Sequence, residues 1–492
     1  MISWVVGLRG LSWRWCAIAC LGGAVACAVR NPLYQEGSGG GGTANEGGEG
    51  GDGGEPSTGP NPATVGAPDT DAVGSTGADE SADGVESGTT GTTTGLQPNW
   101  IFQDATGPGE FDAGTSVEIA WTQDRLELGD SHATGVFHSR VYDAGDTGVW
   151  ETLAWNPSAP YRRPLPPFDA PETDYKSGNI DTGELRLLLP FDGLDVAAQT
   201  TTPDLSGWAN HAVAQQDGGP FAMVPGVFGG AIHNPSPVDV TAPSSFFEIE
   251  DVAAVSPGTS DFTWSVWFRT DSCPTDNVAA SLDVPGSDPL GAPSVWLECG
   301  CNGVMSYGVR DDGIGPADCL ESIPVADAQW HHLALVKEGQ AMVTAYFDGA
   351  PADFSTESIP GDLDPADGVR MTVAGTPDPA FSGYGDIDEF AIFHRALLAE
   401  EIASLWERGA ADLGVRVRAC DEPTCAGVPF VGPDGTGMSS FRDQRAELHP
   451  WESHALPPGL VGRFVQYEVR MAVWPGGRPP SLDFVELRGA PN

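Results

Sequence analysis

Residues 187–408 decide the fold of this chain, because they hold short apolar segments separated by turn residues. In Asp261-Phe-Thr-Trp-Ser-Val-Trp-Phe268 the side chains alternate between two faces, and the alternation returns in Trp330-His-His-Leu-Ala-Leu-Val336. This pattern is typical of a β-strand with one buried face. The series is completed by Leu187-Leu-Leu-Pro-Phe-Asp192, Asp204-Leu-Ser-Gly-Trp-Ala-Asn-His211, Gly226-Val-Phe-Gly-Gly-Ala-Ile232, Ala345-Tyr-Phe-Asp-Gly349, Phe381-Ser-Gly-Tyr-Gly-Asp-Ile-Asp-Glu-Phe-Ala-Ile392 and residues 396–405.

In this order and spacing, the segments resemble the LamG-like modules of the concanavalin A-like lectin/glucanase superfamily. The resemblance implies a jelly-roll sandwich that binds or scaffolds. The residues agree with it: turn residues separate short strands throughout, and Asp348-Gly349 is a hairpin signal. One helix is expected near residues 397–408, with Leu398, Ile402 and Leu405 on one face. The predicted fold class is therefore all-β, with the LamG-like domain at 180–410.

The two flanks of this domain read as halves of a second sandwich. Residues 98–165 contain Gly135-Val-Phe-His-Ser-Arg-Val-Tyr-Asp-Ala-Gly145, and residues 411–492 contain Gly462-Arg-Phe-Val-Gln-Tyr-Glu-Val-Arg470. Together they resemble an exported β-sandwich module found fused to sialidases and surface proteins. Neither flank alone has enough strands for a stable sandwich. We therefore predict a LamG-like jelly-roll inserted into a split β-sandwich.

The first 27 residues predict export. Arg9 and Arg14 precede an apolar run of about a dozen residues, which fits a signal peptide and is too short to span a bilayer. The end of the run, Ala24-Val-Ala-Cys27, resembles a bacterial lipobox, although leucine is usual where Ala24 stands. The alternatives are lipidation at Cys20 or cleavage for free secretion. With Ala28 following Cys27, the pattern favours the outer membrane surface of a Gram-negative bacterium.

Residues 28–97 form an acidic segment rich in Gly, Ser and Thr, which predicts a disordered tether. The whole chain carries 69 acidic against 23 basic residues, a net charge of −46. This charge excludes nucleic acid and anionic membrane surfaces as partners, so that membrane contact is expected only through the lipid anchor. Neutral glycans and glycoproteins remain compatible ligands.

Nine cysteines fit an exported chain, since six remain after the signal and the lipid site are set aside. A turn-rich loop favours Cys420–Cys425. The other four cysteines allow three connectivities. A Cys299–Cys301 bond would be strained because the two residues are so close in sequence, which leaves two connectivities. We favour Cys273–Cys299 with Cys301–Cys319, because Asn302-Gly303 predicts a hairpin that directs Cys301 toward the following strand.

An enzyme is the less favoured interpretation. Retaining glucanases of this superfamily carry three acids at alternating strand positions, whereas Asp386 and Asp388 are followed by Phe390. His331 and His332 are adjacent and, on a strand, point to opposite faces, which disfavours one shared metal ion. The sequence thus predicts a non-catalytic surface protein that binds glycans or glycoproteins, with a structural scaffold as the alternative.

The resemblance also implies a structural calcium ion, which requires several converging oxygen ligands. The matching positions are Asp192, Asp204, Asn210 and Asp388, with Asp386 in reserve. The competing interpretation is that Asp204 and Asn210 only shape a turn. Two aromatic residues in loops, Trp208 and Tyr384, are candidate stacking platforms for a sugar.

Overall fold

The structure is a computed structural model that describes residues 100–492, except 106–109, 123–124, 130, 168–170, 174, 195–199, 236–243, 274–275, 285–292, 312, 360–362, 366–367, 379–380 and 444–452. The predicted signal peptide, Cys27 and the tether lie outside the described residues. Within the described ranges, no helix is both long and apolar enough to cross a bilayer.

Strands from the two ends of the described chain share a ten-stranded sheet, here called the flank sheet. Its central strands lie side by side in the order β5 (Thr134–His138), β26 (Val461–Val473), β6 (Tyr142–Pro157) and β27 (Ser481–Pro491), so that segments more than 300 residues apart in sequence are neighbours. The interpretation as a split sandwich requires this pairing. The ten strands are β1 (Trp100–Asp104), β2 (Thr115–Val117), β3 (Ile119–Thr122), β4 (Arg125–Leu128), β5 (Thr134–His138), β6 (Tyr142–Pro157), β24 (Ala411–Cys420), β25 (His454–Ala455), β26 (Val461–Val473) and β27 (Ser481–Pro491).

Residues between the flanks form two further sheets. An eight-stranded sheet contains β7 (Leu185–Leu189), β10 (Ala222–Pro225), β11 (Gly230–Asn234), β13 (Phe262–Arg269), β18 (His331–Glu338), β19 (Met342–Phe347), β20 (Ala350–Ser355) and β23 (Gly385–Phe393). A nine-stranded sheet contains β8 (Thr201–Thr202), β9 (Ala212–Gln215), β12 (Phe246–Ile249), β14 (Asp276–Asp283), β15 (Pro293–Gly300), β16 (Val304–Asp311), β17 (Ala317–Pro324), β21 (Arg370–Val373) and β22 (Phe381–Ser382). The predicted all-β class is confirmed.

The core of the jelly-roll lies between these two sheets. Trp264 and Phe390 of the eight-stranded sheet and Leu297 of the nine-stranded sheet belong to one buried cluster. The alternating strands supply this cluster from one face each, as the sequence pattern predicts. A second cluster, containing Trp150, Val465 and Tyr467, forms the separate core of the flanking strands.

Among the described residues, helices are few and short. They are α1 (Val252–Val255), α2 (Ala399–Ala410) and the 3-10 turns Phe111–Ala113 and Cys301–Gly303. Helix α2 buries Ile402 and Leu405 against the outer side of the eight-stranded sheet, while Leu398 precedes its first turn and is exposed. The Glu401 carboxylate accepts a hydrogen bond from the Leu398 N–H at 2.9 Å, which satisfies one donor at the helix start.

A buried ionic network anchors the segment that connects β6 to β7. The Glu172 carboxylate lies 2.6 Å from Arg408 of helix α2 and 3.3 Å from Arg163, and all three side chains are almost fully buried. Arg163 also donates to the Tyr175 hydroxyl, which donates to the Asp443 carboxylate at 2.7 Å. The network therefore joins the connecting segment, the helix and the chain that follows β24.

Two disulfides lie within the part of the chain that the structure describes. Cys273 is bonded to Cys299, with Cα atoms 6.2 Å apart, and Cys420 to Cys425, with Cα atoms 5.4 Å apart. The side chain of Cys301 lies outside the described part of the chain, so the Cys301–Cys319 pairing stays a prediction. Non-reducing peptide mapping that joins Cys301 to any other residue would contradict it.

Candidate functional site

The loop between β8 and β9 presents Trp208 to solvent. Trp208 is 59% exposed, and the guanidinium of Arg186 lies 4.0 Å from the centre of its ring. One face is therefore stacked on a cation, and the exposed remainder of the ring is available for a ligand. An indole held in this way suits the apolar face of a sugar ring.

The loop owes its shape to Asp204. Its buried carboxylate accepts hydrogen bonds from the backbone N–H groups of Leu188, Ser206 and Asn210 at 2.8–2.9 Å, and from the Ser206 hydroxyl at 2.7 Å. The Asn210 amide donates to the carbonyl oxygen of Arg186 at 2.9 Å. These contacts fix the turn, because they satisfy donors that the chain would otherwise turn toward water.

Trp208 lies between two residues in the left-handed region of backbone conformation, Gly207 with φ 94° and Ala209 with φ 61°. For alanine this conformation is costly, and it persists only where the surroundings hold it. Four hydrogen bonds to Asp204 provide that restraint. The structure therefore gives Asp204 and Asn210 the role of shaping the turn that carries Trp208.

The five predicted calcium ligands lie in three places. Asp204 and Asn210 belong to the Trp208 turn. Asp386 lies between Arg269 and His233, at 2.6 Å and 2.7 Å. Asp192 and Asp388 both contact the 226–230 loop, where they accept hydrogen bonds from the N–H groups of Gly230 and Phe228.

Within the described residues, no group of three or more His, Cys, Asp or Glu side chains is arranged to hold a metal ion. The five residues therefore do not form one coordination sphere. Asp388 is nevertheless unusual, since it is fully buried and its Oδ1 finds no hydrogen-bond donor among the described residues. Burial, together with the charges of Glu389 and Asp192, raises the pKa of Asp388 well above its usual range.

A β-bulge separates Asp388 from Phe390. Glu389 has a φ of 50°, and two residues of β23 stand opposite one residue of β13 at this point. As a result Phe390 belongs to the buried core, while Asp386 and Asp388 pair with Arg269 and Trp267 of β13. The side chain of Phe390 therefore points into the sandwich, away from Asp386 and Asp388.

Tyr384, the second candidate platform, is partly buried and firmly held. Its hydroxyl bonds to Asp271, and this hydrogen bond together with burial raises the pKa of Tyr384. Its backbone N–H donates to Asn277 Oδ1 at 2.6 Å, and its carbonyl accepts from Asn277 Nδ2. Trp208 offers far more open ring surface.

The adjacent histidines have different partners. His332 is completely buried and bonds to the Ser265 hydroxyl at 2.9 Å, and burial lowers its pKa to about 4. Burial alone would also lower the pKa of His331, but the hydrogen bonds and charges of Asp348 and Asp327 outweigh it and raise that pKa. Both residues thus have structural partners.

A third aromatic residue, Trp296, was not predicted from the sequence. It is partly exposed on the outer face of the nine-stranded sheet, and its ring lies against the backbone of Gly308, where an added Cβ would come within 2.2 Å of it. The alternation of buried Val295 and Leu297 around Trp296 was the available signal.

Comparison with known proteins identifies the jelly-roll. Residues 243–403 match the family described as the concanavalin A-like lectin/glucanases superfamily. The jelly-roll is a LamG-like domain. The chain matches none of the curated proteins with which it was compared.

Similar solved structures are distant. They include domain 4 of AbnA, a GH43 extracellular arabinanase from Geobacillus stearothermophilus, in complex with arabinotriose, at 20% identity over 45% of this chain and 98% of that one, with a TM-score of 0.35. The Trypanosoma rangeli sialidase has 14% identity over 48% of this chain and 36% of that one, with a TM-score of 0.34. The receptor binding domain of botulinum neurotoxin D has 14% identity over 46% and 52%, with a TM-score of 0.32. At these scores the likenesses carry no functional argument.

Proposed function

We propose that this protein is a non-catalytic binding protein of the cell surface that recognises glycans or glycoproteins through its LamG-like domain. The observation that carries the proposal is Trp208, a residue that is 59% exposed, stacked on Arg186 and held on a hydrogen-bonded turn. Large aromatic side chains that are fixed before the ligand arrives lose little conformational entropy on binding. Trp208 is therefore placed to act as the central contact.

The surroundings of Asp386 and Asp388 support binding without catalysis. A retaining glycosidase needs a nucleophile and a proton donor facing one substrate. Here Asp386 is engaged by Arg269 and His233, and Asp388 is buried beneath the 226–230 loop. Phe390 stands where the third acid would follow in the sequence, but its side chain points into the core, away from Asp386 and Asp388.

The proposal includes export and attachment through a lipid at Cys27, with residues 28–97 as a tether at the outer membrane surface. The acidic chain, with its net charge of −46, supports ligands other than nucleic acids. Acyl labelling tests the anchor: a Cys27→Ser precursor should lose the label, and continued labelling would move the anchor elsewhere.

We propose only a structural role for calcium. Asp192 and Asp388 would hold it near the 226–230 loop, because a cation there would relieve the repulsion between their charges and supply a partner for the buried Asp388 Oδ1. The other three predicted ligands are committed elsewhere. The ion would stabilise the folded domain and would take no part in chemistry.

A glycan-array screen of residues 97–492, in calcium and in excess chelator, tests the proposed function. We expect concentration-dependent binding to a defined set of glycans or glycoproteins. An array on which the folded protein binds nothing would favour the structural scaffold instead.

A further inference from the structure

The segment that follows β6 places an arginine in a strained backbone position between the jelly-roll and the flanking strands. Arg162 has a φ of 54°, in the left-handed region that residues other than glycine seldom adopt. Its backbone N–H donates to the carbonyl oxygen of Arg408 at 2.7 Å, and its Nη1 donates to that of Gly409 at 3.3 Å. Both carbonyls belong to the last turn of helix α2, so the helix of the jelly-roll holds Arg162 in place. Strain of this kind is found most often where a side chain has a function.

Trp474 covers one face of the Arg162 guanidinium. It lies in the connection between β26 and β27, and the centre of its ring is 4.6 Å from Arg162 Cζ. The backbone N–H of Trp474 donates to the carbonyl oxygen of Ala410 at 2.8 Å, so the flanking strands and the helix fix the pair together. Trp474 is 41% exposed, and part of its ring is therefore open to a ligand.

The guanidinium of Arg162 has donors that the protein does not use. The Gly409 carbonyl takes one of its five N–H groups, a contact that also suits the C-terminal end of a helix. No carboxylate of a described residue pairs with Arg162, whereas the neighbouring Arg442 pairs with Asp412 at 2.7 Å. The Nε and Nη2 groups of Arg162 donate to no described residue and are reached by solvent. These two groups share one edge of the guanidinium, and such an edge matches the two oxygens of a carboxylate.

The charge around Arg162 is positive, although the chain as a whole carries −46. Burial lowers the pKa of Arg162, and the charges that act on it are those of Asp412, Arg442 and Asp388. Asp412 and Arg442 neutralise each other as an ion pair, and Asp388 is fully buried. The remaining charge at the surface is that of Arg162. Since the rest of the chain repels polyanions, the arrangement favours a ligand with a single negative charge.

We propose that Arg162 and Trp474 bind a single carboxylate that is attached to an apolar group. The carboxylate accepts hydrogen bonds from Nε and Nη2 of Arg162, and the apolar group lies on the open part of the Trp474 ring. The C-terminus of a peptide and a free aromatic acid share this chemistry. The site has no residue in common with the Trp208 loop, so it does not depend on the proposed glycan binding and can be tested separately.

The test is two-dimensional NMR of the ¹⁵N-labelled protein, in which each indole N–H gives its own signal and Trp474→Phe identifies that of Trp474. The probes are N-acetylphenylalanine, its amide, benzoate and sulfate. We expect one or both of the two carboxylates to shift the Trp474 signal saturably, and the amide to bind about tenfold more weakly or less. Tighter binding of N-acetylphenylalanine than of benzoate would indicate a peptide C-terminus, and the reverse a free aromatic acid. No saturable shift with either carboxylate, or equal binding of the amide or of sulfate, would overturn the proposal.

Two variants place the carboxylate at Arg162. Arg162→Met keeps the apolar stem and removes the paired donors, so the carboxylate should bind about tenfold more weakly. Arg162→Lys keeps the charge without the paired donors and should retain only part of the affinity. If Arg162→Met lowers the melting temperature, Arg162→Lys provides the test. Wild-type affinity in a folded Arg162→Met or Arg162→Lys variant would exclude the site.

The matched control is Arg418→Met. Arg418 is also stacked on an aromatic ring, with its Cζ 4.4 Å from the centre of Phe430. Its donors are already taken, by the Gln466 side chain and by the Val428 carbonyl. Arg418→Met should therefore bind the carboxylate as the wild type does. An equal loss of affinity in Arg418→Met and Arg162→Met would show that the effect is one of overall charge, and would overturn the assignment to Arg162.

Discussion

We expect the substitution Glu172→Gln to destabilise the folded protein more than the loss of an exposed ion pair would. Glu172 is the carboxylate that faces both Arg163 and Arg408, and the side chains of the two arginines are only 2% and 1% exposed. Glutamine keeps the shape and some hydrogen bonds but removes the negative charge. Two guanidinium groups would then remain buried without the carboxylate that neutralises them.

The expected cost follows from this burial. Breaking a buried ion pair by removing one partner costs about 3–5 kcal/mol, since the other charge stays desolvated. Glutamine still accepts a hydrogen bond at one oxygen, so we expect about 3 kcal/mol in the free energy of unfolding. Urea titration followed by tryptophan fluorescence measures this change.

A double-mutant cycle separates the ion pair from general damage. Arg408→Met removes the partner at 2.6 Å, so the double variant with Glu172→Gln should lose at least ~1 kcal/mol less than the sum of the two single variants. As a control, Arg463→Met breaks the exposed pair with Asp143 and should leave the unfolding midpoint unchanged. A loss below about 1 kcal/mol for Glu172→Gln would refute the stabilising role of the network.

The remaining predictions concern pH, calcium and fragments. Because burial lowers the pKa of His332 to about 4, the unfolded chain takes up the proton first. The contribution of His332 to stability is therefore fully present above about pH 6.5, and up to roughly 3 kcal/mol of it is lost as the pH drops toward 4. His332→Gln should flatten this loss in urea titrations across that range, and an unchanged acid limb would contradict the assignment. Millimolar calcium should raise the melting temperature relative to excess EDTA, and Asp388→Asn should abolish the difference; equal melting temperatures of the wild type would remove the ion. Residues 98–165 expressed alone should show no cooperative melting by circular dichroism, because β6 pairs with strands after residue 460, whereas a sharp transition would make the flanks independent domains.

Much of the fold could be predicted from local patterns. The alternation in β13 and β18 fixes which face is buried, and Trp264, Val266 and Leu335 all lie in the core as it requires. The side-by-side order of β26 and β6 depends on pairing across more than 300 residues. The sequence supported a shared sandwich through the resemblance and through the small number of strands in each flank, but it did not give this strand order. Local periodicity cannot specify such partners.

The functional residues were harder to predict, for two physical reasons. An Asp that braces a turn and an Asp that binds calcium have the same side chain, so the role of Asp204 appears only with its four hydrogen-bond donors. The bulge at Glu389 changes which side Phe390 faces, and a non-glycine residue with positive φ gives no sequence signal.

Calorimetric titration of Trp208→Ala tests the central claim most directly, with the strongest ligand from the glycan array. Trp474→Ala is the matched control, because Trp474 is also exposed, at 41%, and also stacked on an arginine, with Arg162 4.6 Å from its ring. Loss of a central aromatic contact costs about 2 kcal/mol, so Trp208→Ala should bind roughly thirtyfold more weakly while Trp474→Ala binds like the wild type. Equal affinities of Trp208→Ala and the wild type would contradict the assignment of Trp208 as the binding residue.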